Sequence, residues 1–358
     1  MELLYKPDWP EARQRMEAFW RGEELDRIPL WVTAPRRTPL PGPQPPPEPP
    51  DPKTRKTDPN YLLARAQAAF SRTFYGGESV PAFEANLGPG SLAIHLGSRP
   101  VFMPTTVWYE PILDDLEHGP DLAFDENEPW WRWTVELTAR AREEGRGKFL
   151  LAFPDLIENL DTLCSLRGTL ELLTDLIDHP QAVHRYLEQI FHAYFACYDA
   201  LAELMNVAEN GSLFTIFRVW GPGRVCKLQS DMSCMISPEM FAEFAVPYLR
   251  RQCQRVDQSF FHLDGPGAIK HLDALLAIPE LGGIQWTPGA GAPPVHSERW
   301  WPMYRKIQAA GKRLFLLGVP PEKVPELARR FERNLTYIAT HCPSQDEAEA
   351  LLREASRW

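Results

Sequence analysis

The chain contains eight short apolar segments with β-strand character, and helical patterns lie between most of them. Most of these segments are nearly continuous apolar runs, which is typical of parallel strands covered by helices. We place them at 28–34, 80–87, 148–154, 211–217, 259–265, 282–288, 313–319 and 336–342. Eight alternating strand and helix units predict an α/β fold of the (β/α)8 (TIM) barrel type. An open doubly wound sheet is the alternative, but no GxGxxG motif follows the first strand, which weakens a dinucleotide-binding interpretation.

Several helices carry clear boundary signals. Ser237 is expected to cap a helix whose first turn contains Pro238, and Pro247 should kink that helix. Ser344 and Glu347 have the spacing of a capping box at the start of the last helix. These signals predict where two of the helices begin and where one of them bends.

The 358 residues suit one barrel domain, 1–358, with two insertions. The segment 38–59 holds ten prolines and is expected to form a polyproline-like or mobile loop after the first strand. A longer insertion, 88–127, separates the second and third strands. On a barrel, the Pro-rich loop would lie at the face where active sites are built.

Composition limits the classes of partner. The net charge is −10 without basic runs, which argues against nucleic acid or an anionic membrane as the main partner. Six cysteines are scattered without a CxxC motif, as in the reduced thiols of cytosolic proteins. The chain shows neither a signal-peptide pattern nor an 18-residue apolar span, so we expect a soluble cytoplasmic protein.

Polar residues at the ends of the predicted strands are the candidate site residues, because barrel enzymes place their chemistry there. Three of them are candidates for catalysis: Asp264, Arg218 and Asp231. The candidates for binding a small-molecule substrate are Arg36, Arg37, Asn86, Trp220, Gln285 and Trp286. Some of these residues have a structural alternative to a role in the site. The tryptophans could serve packing only, and Arg218 could pair with Asp231 or Glu158.

The stretch "FFHLDGPG" ends the fifth strand and places His262 and Asp264 two residues apart. Residues two apart in a strand share a face, so both side chains should point to one place. Together with Cys342 and Glu158, they offer nitrogen, oxygen and sulfur ligands that suit Zn²⁺ with an open position. The alternatives are a core histidine, or metal-free acid–base and electrostatic chemistry by Asp264, Arg218 and His262.

The sequence also resembles the uroporphyrinogen decarboxylase-like superfamily, which includes cobalamin-dependent methyltransferases of the methylcobalamin:coenzyme M methyltransferase type. The resemblance covers about residues 20–352 and implies a (β/α)8 barrel. It is carried by "ISPEMFAEFAVPYLRR" followed by a strand that ends in "HLDG", and by "RGEELDRIPLWV", "SLRGTLELLTDLIDHPQAVHRYL" and "HCPSQDEAEALL".

In the methyltransferase branch, a His-x-Cys pair and a later cysteine bind zinc, which activates a thiol to accept a methyl group from a corrinoid. Here the pair reads His262-Leu263-Asp264, with Asp where the family has Cys, and Cys342 matches the later cysteine. The resemblance therefore implies a zinc-dependent methyltransferase that acts on a small thiol or a corrinoid-borne methyl group. It also implies a corrinoid protein as partner and a homodimer.

Two other functions stay open at this point. A metal-free decarboxylase or lyase would bind substrate carboxylates through Arg36, Arg37 and Arg218, although the "RQAGR"-type element of that branch is absent. A carbohydrate-active barrel or a non-catalytic ligand binder would use the tryptophans with Asp155, Glu158 and Asp264.

Overall fold

The computed structural model describes residues 2–358, which contain thirteen β-strands and fifteen α-helices. The strands are β1 (Leu30–Pro35), β2 (Thr73–Gly77), β3 (Ala82–Phe83), β4 (Pro100–Phe102), β5 (Val107–Tyr109), β6 (Leu150–Leu151), β7 (Ser212–Phe214), β8 (Val219–Gly221), β9 (Val225–Gln229), β10 (Gln258–Asp264), β11 (Gly283–Thr287), β12 (Arg313–Leu317) and β13 (Thr336–His341). The helices are α1 (Trp9–Trp20), α2 (Pro52–Thr57), α3 (Pro59–Arg72), α4 (Leu92–His95), α5 (Pro129–Gly145), α6 (Asn159–Arg167), α7 (Thr169–Asp178), α8 (Pro180–Leu204), α9 (Val207–Asn210), α10 (Pro238–Phe244), α11 (Val246–Cys253), α12 (Leu272–Leu276), α13 (Trp301–Ala309), α14 (Val324–Arg330) and α15 (Gln345–Ala355).

Six parallel strands form the central sheet, in the order β1-β13-β12-β11-β10-β9, and β2 pairs antiparallel with the outer side of β1. The first and last parts of the chain therefore meet at the pairing of β1 with β13. In the same sheet, His262 lies beside Gln229 on one side and Gln285 on the other. This register determines which side chains surround the end of β10.

All eight predicted strand segments contain a strand, which confirms the mixed α/β prediction. The segment 211–217 differs in role, because β7 is short and pairs antiparallel with β8 in a hairpin. The parallel neighbour of β10 is instead β9, which the sequence analysis missed. Lys227 and Gln229 interrupt the apolar run of β9, and this hid the strand.

Closure of the sheet into a barrel stays a prediction. Among the described residues, pairing in the main sheet ends at β2 on one side and at β9 on the other. The predicted second and third strands form a separate parallel pair, β3 with β6. One backbone hydrogen bond continues from this pair, since the amide of Phe153 donates to the carbonyl of Leu213 in β7 (2.9 Å).

The inner face of the sheet is defined by aromatic rings that contact one another across strands. The ring of Phe315 in β12 lies 5.5 Å from that of Phe260 in β10 and 5.4 Å from that of Tyr337 in β13. Phe19 of α1 packs on Phe315 at 5.8 Å. Because the contact between β10 and β12 passes over β11, these side chains share one concave face. His262, two residues beyond Phe260, points to the same face.

The predicted helix boundaries are confirmed. The Ser237 hydroxyl accepts a hydrogen bond from the amide of Met240, and the Ser344 hydroxyl accepts one from the amide of Glu347 (both 3.2 Å). Helix α10 ends at Phe244 and α11 begins at Val246, so the kink expected from Pro247 is a complete break.

The Pro-rich segment packs on the body of the protein and contains the short helix α2. The amide of Leu40 donates to the carbonyl of Ser71 (2.9 Å), and the hydroxyl of Tyr5 donates to the carbonyl of Pro41 (3.3 Å). The second insertion, 88–127, contains α4 and the β4–β5 hairpin. No helix within residues 2–358 is both long enough and apolar enough to cross a bilayer.

Candidate metal centre

Three side chains converge at the carboxyl end of β10. Asp231, His262 and Asp264 each offer one ligand atom, and these three atoms lie within 4.8 Å of one another. His262 and Asp264 share a face of β10, whereas Asp231 begins the 3-10 turn that follows β9. Because β9 and β10 are parallel neighbours, their carboxyl ends meet at the same edge of the sheet.

Gln285 on β11 determines which nitrogen of His262 is free. Its side-chain oxygen Oε1 forms a hydrogen bond with His262 Nδ1. Its side-chain nitrogen donates to the carbonyl of Trp286 (2.8 Å) and to the hydroxyl of Thr287 (3.0 Å), which orients the amide. Since Oε1 can only accept, Nδ1 carries the proton and Nε2 keeps a lone pair for a ligand bond.

Asp161 at the start of α6 holds Asp231 in place. Its carboxylate accepts hydrogen bonds from the backbone amides of Asp231 (2.7 Å) and Met232 (2.9 Å). Burial, followed by the charge of Asp231, raises the pKa of Asp161 to about 7. Asp161 was not predicted from the sequence, because the residues that it contacts lie 70 and 71 positions later in the chain.

The three converging groups perturb one another. Burial raises the pKa of Asp231, and the charge of Asp264 raises it further, although His262 opposes both. Burial lowers the pKa of His262, and the hydrogen bond that His262 donates to Gln285 acts in the opposite direction. The imidazole is therefore held neutral, which is the form that binds metals. One nitrogen and two carboxylate oxygens fit a divalent cation such as Zn²⁺ and leave a position for a further ligand.

Glu158, a predicted metal ligand, lies outside this group of three. One of its carboxyl oxygens accepts a hydrogen bond from the backbone amide of Gln229 (2.9 Å). Burial raises its pKa to about 8, even though the nearby Lys227 acts in the opposite direction. At neutral pH the group is therefore mostly protonated, and a protonated carboxyl is a poor metal ligand.

Cys342, the other predicted ligand, is also outside the group. It follows β13, which is separated from β10 by β11 and β12. Tyr337 faces the concave side, so Cys342, an odd number of residues later, points to the opposite face. The thiol is fully buried, and burial together with the charge of Glu347 on α15 raises its pKa to about 11. Asp231, and not Cys342 as predicted, is the third group beside His262 and Asp264.

A buried charged cluster is anchored to the adjoining strand β9. The ammonium group of Lys227 lies 2.7 Å from the carboxylate of Asp155 and donates to the side-chain oxygen of Gln229 (2.8 Å). Burial opposes the charge of Lys227, but Asp155 and Glu158 hold its pKa above the ordinary value. The positive charge of Lys227 also acts on the three-donor group, because it opposes the rise in the pKa of Asp231 that burial causes.

A cavity of about 460 Å³ opens beside Asp231 and Asp161. Its apolar wall includes Trp108 from the β4–β5 hairpin and Met235 from the turn after β9, whose side chains are 66% and 50% exposed. The exposed thiol of Cys234 also lines it. The space can therefore hold a small, partly apolar molecule in contact with the carboxylate of Asp231.

The arginines predicted to bind substrate have other partners. The guanidinium of Arg36 donates to the carbonyls of Thr73 (3.1 Å) and Tyr5 (3.2 Å), and that of Arg37 pairs with Asp346 on α15. Arg218 lies in the turn between β7 and β8 with a left-handed φ of 54°. Within residues 2–358 it forms no salt bridge, so it is not paired with Asp231 or Glu158 as the alternative interpretation supposed.

The predicted tryptophans serve packing. Trp220 packs edge-on against Trp9, and Trp286 packs against Trp300 on the helix-facing side of β11. Each is only 1% exposed, so neither can stack on a ligand at the end of the sheet. Asn86 donates to Glu84 (3.2 Å) and lines a different cavity from the one beside Asp231.

The sequence matches no protein-family profile and no curated protein. Among solved structures, a methyltransferase from Methanosarcina mazei is similar over 97% of this chain and 98% of its own length, with a TM-score of 0.63 and 13% sequence identity. Macrophomate synthase is similar over 62% of this chain and 79% of its own, but its TM-score of 0.25 is too low to support a conclusion. The chain thus shares its overall fold, along nearly its whole length, with a methyltransferase of known structure.

Proposed function

We propose that the protein is a metal-dependent methyltransferase that holds a divalent ion, Zn²⁺ in the first place, with Asp231, His262 and Asp264. The observation that carries the proposal is the convergence of three ligand atoms within 4.8 Å at the carboxyl end of parallel strands. The similarity of fold to a methyltransferase supports the reaction class. The proposed acceptor is a small thiol, and the proposed methyl donor is a corrinoid carried by a partner protein.

The bound ion would supply Lewis acidity, which lowers the pKa of a coordinated thiol so that thiolate is present near neutral pH. Gln285 keeps Nε2 of His262 unprotonated for the ligand bond. Asp161 fixes the backbone that carries Asp231. The apolar side chains of Trp108 and Met235 would contact the nonpolar part of the acceptor.

We also propose that the sheet closes into the eight-stranded barrel that the sequence analysis predicts. Support comes from hydrogen bonds that join the β3–β6 pair to its neighbours. The amide of Phe153 donates to Leu213, and the Ser79 hydroxyl, just before β3, donates to the carbonyl of Val32 in β1 (2.8 Å).

Two alternatives lose their main support. A lyase that holds carboxylates with Arg36 and Arg37 would have to break the hydrogen bonds and the ion pair that these residues form. A carbohydrate site lined by Trp220 and Trp286 would need rings that are exposed, and both are buried.

The first experiment is metal titration of chelator-treated protein by calorimetry, with Zn²⁺, Mn²⁺ and Co²⁺ in separate runs. We expect one ion per chain in the unmodified protein and a loss of at least tenfold in affinity in Asp264→Asn. Asp273→Asn, a surface carboxylate paired with Lys306, is the matched control and should bind normally. Absence of binding for all three ions would overturn the proposal, as would equal affinities in the two variants.

The second experiment tests the reaction. The zinc-loaded protein is mixed with methylcobalamin and a panel of small thiols, and the corrinoid absorbance and the methyl thioether are followed. In the proposed reaction the sulfur electron pair would form the new bond to the methyl carbon, the cobalt–carbon bond would break with its electron pair on cobalt, and the thiol proton would leave to solvent. We expect turnover with the unmodified protein and with Asp273→Asn, but not with Asp264→Asn.

A further inference from the structure

A second cavity, of about 730 Å³, lies between the Pro-rich segment and the end of β3. Helices α2 and α3 contribute Lys56 and Arg65 to its lining. The opposite wall contains Phe83, Glu84 and Asn86, which belong to β3 and the residues just after it. The lining of the cavity therefore contains cationic, apolar and polar side chains.

The cations of this cavity differ in their pairing. Arg55, which also lines it, is neutralised by Glu48 (2.7 Å). Within the part of the chain that the structure describes, Lys56 and Arg65 form no salt bridge. Burial lowers the pKa of Lys56, and so do the positive charges of Arg55 and Arg65. Two cations without a salt-bridge partner among the described residues thus line one cavity, in a chain whose net charge is −10.

Glu84, the acidic residue on the β3 side of the cavity, forms no salt bridge with either cation within the described residues. Glu84 accepts hydrogen bonds from the side chains of Asn86 and Thr215, and burial raises its pKa to about 6. Each of its oxygens thus accepts from a neutral side chain, and not from Lys56 or Arg65. Anionic ligands favour such sites, because a guanidinium and an ammonium group can donate to the same phosphate or carboxylate.

One turn of the chain links the cavity to the proposed metal centre. Thr215 belongs to the turn that follows β7, and two residues later the ring of Phe217 lies 4.9 Å from the ring of His262. The turn after β7 therefore contacts both the cavity and the ring of His262.

We infer that Lys56 and Arg65 form a binding site for the anionic group, phosphate or carboxylate, of a small molecule whose carbon skeleton lies against Phe70 and Phe83. The inference does not depend on methyl transfer, because it rests on the charges and shape of this cavity alone. The Pro-rich segment supplies one wall, and its packing against the body of the protein holds α2 and Lys56 in position.

The test measures binding of inorganic phosphate and, in a separate arm, of succinate to the full chain by calorimetry at low ionic strength. The variants are the double substitution Lys56→Gln with Arg65→Gln and the control Lys53→Gln. Lys53 lies on the same helix, but it stacks on Trp130 and does not line the cavity. Thermal unfolding of each variant verifies that it is folded.

We expect at least one of the two anions to bind the unmodified protein, with at least a tenfold loss of affinity in the double variant and none in the control. If only phosphate binds, the anionic group of the ligand is assigned as a phosphate ester. If only succinate binds, it is assigned as a carboxylate. Binding of neither anion would overturn the inference, and so would equal affinity in the double variant and the unmodified protein.

Discussion

The imidazole of His262 and the side-chain amide of Gln285 are joined by a hydrogen bond between directly paired residues of β10 and β11. The amide is itself anchored to the carbonyl of Trp286, so its oxygen can only face the imidazole. The bond therefore favours the tautomer with the proton on Nδ1 and leaves the lone pair on Nε2 free. Neighbours of this kind orient a metal-binding histidine and raise its basicity.

Replacing Gln285 by Leu should weaken zinc binding about 10- to 100-fold, because the imidazole loses the acceptor that selects its tautomer. Gln285→Glu keeps an acceptor oxygen and should retain most of the affinity. Competition with a chromophoric chelator measures both variants. Gln254→Leu, which removes a surface amide bonded to Glu280, serves as the control. If the Leu variant binds as tightly as the control, Gln285 has no orienting role.

Cys342→Ala should leave zinc affinity unchanged, because the thiol lies outside the group of three donors and is close to Glu347 of α15. The substitution should instead cost about 1 kcal/mol of unfolding free energy, as expected for trimming a buried side chain. Chelator competition and urea unfolding measure the two effects. A large loss of zinc affinity would restore Cys342 as a ligand and contradict the site described above.

Asp161→Asn should weaken metal binding about tenfold, although the residue donates no ligand atom to the group. Its carboxylate accepts from two backbone amides that position Asp231, and an asparagine offers one oxygen in place of two. Calorimetry at pH 8, where the native carboxylate is mostly ionised, shows the effect most clearly. The surface substitution Asp178→Asn should bind normally, and equal binding by both variants would remove the positioning role.

Metal affinity should fall as the pH drops below about 7. Burial raises the pKa of Asp231 above its ordinary value and that of Asp161 to about 7, so protons compete for these groups as acidity increases. His262 contributes only at lower pH, because burial lowers its pKa. Zinc titrations at half-unit steps between pH 5.5 and 8.5 measure the dependence. A pH-independent affinity across this interval would contradict it.

Glu158→Gln should stabilise the metal-free protein at pH 8.5 and change little at pH 5. The folded protein holds the Glu158 proton up to a pKa of about 8, whereas the ordinary value is 4.5. The folded state then binds more protons than the unfolded state between these values. Stability must therefore fall as the pH rises, by at most about 1.4 kcal/mol per unit.

Urea unfolding at several pH values tests this dependence, with the exposed Glu298→Gln as control. Asp161, with its raised pKa, contributes a similar slope, so the Glu158 variant should retain part of the dependence. Lys227 stays charged throughout and should not add to it. If the Glu158 variant and the control show identical slopes, Glu158 does not carry a proton in the folded protein at neutral pH.

Local patterns predicted most of the secondary structure. Each of the eight apolar segments contains a strand, and Ser237, Pro247 and Ser344 mark helix boundaries as expected. The fact that β9 was not predicted has a local cause as well. Lys227 and Gln229 point to the concave face, where a buried charge cluster replaces the usual apolar layer, so the strand lacks its pattern.

The candidate site was predicted only in part. His262 and Asp264 converge because alternate residues of a strand share a face whatever surrounds them. Asp231 was predicted as a catalytic residue, but its place beside them depends on the parallel pairing of β9 with β10. Asp161 and the orienting contact of Gln285 involve residues far apart in the chain, and no local spacing reports such contacts.

The sequence alone located a strand in each of the eight apolar segments and determined the common direction of His262 and Asp264, because side-chain direction and apolar periodicity are properties of a single segment. Only the tertiary structure decided that Asp231, and not Cys342, joins them. That choice depends on which strands are neighbours and which face a side chain takes in the assembled sheet. Both follow from packing over the whole chain, which no single segment contains.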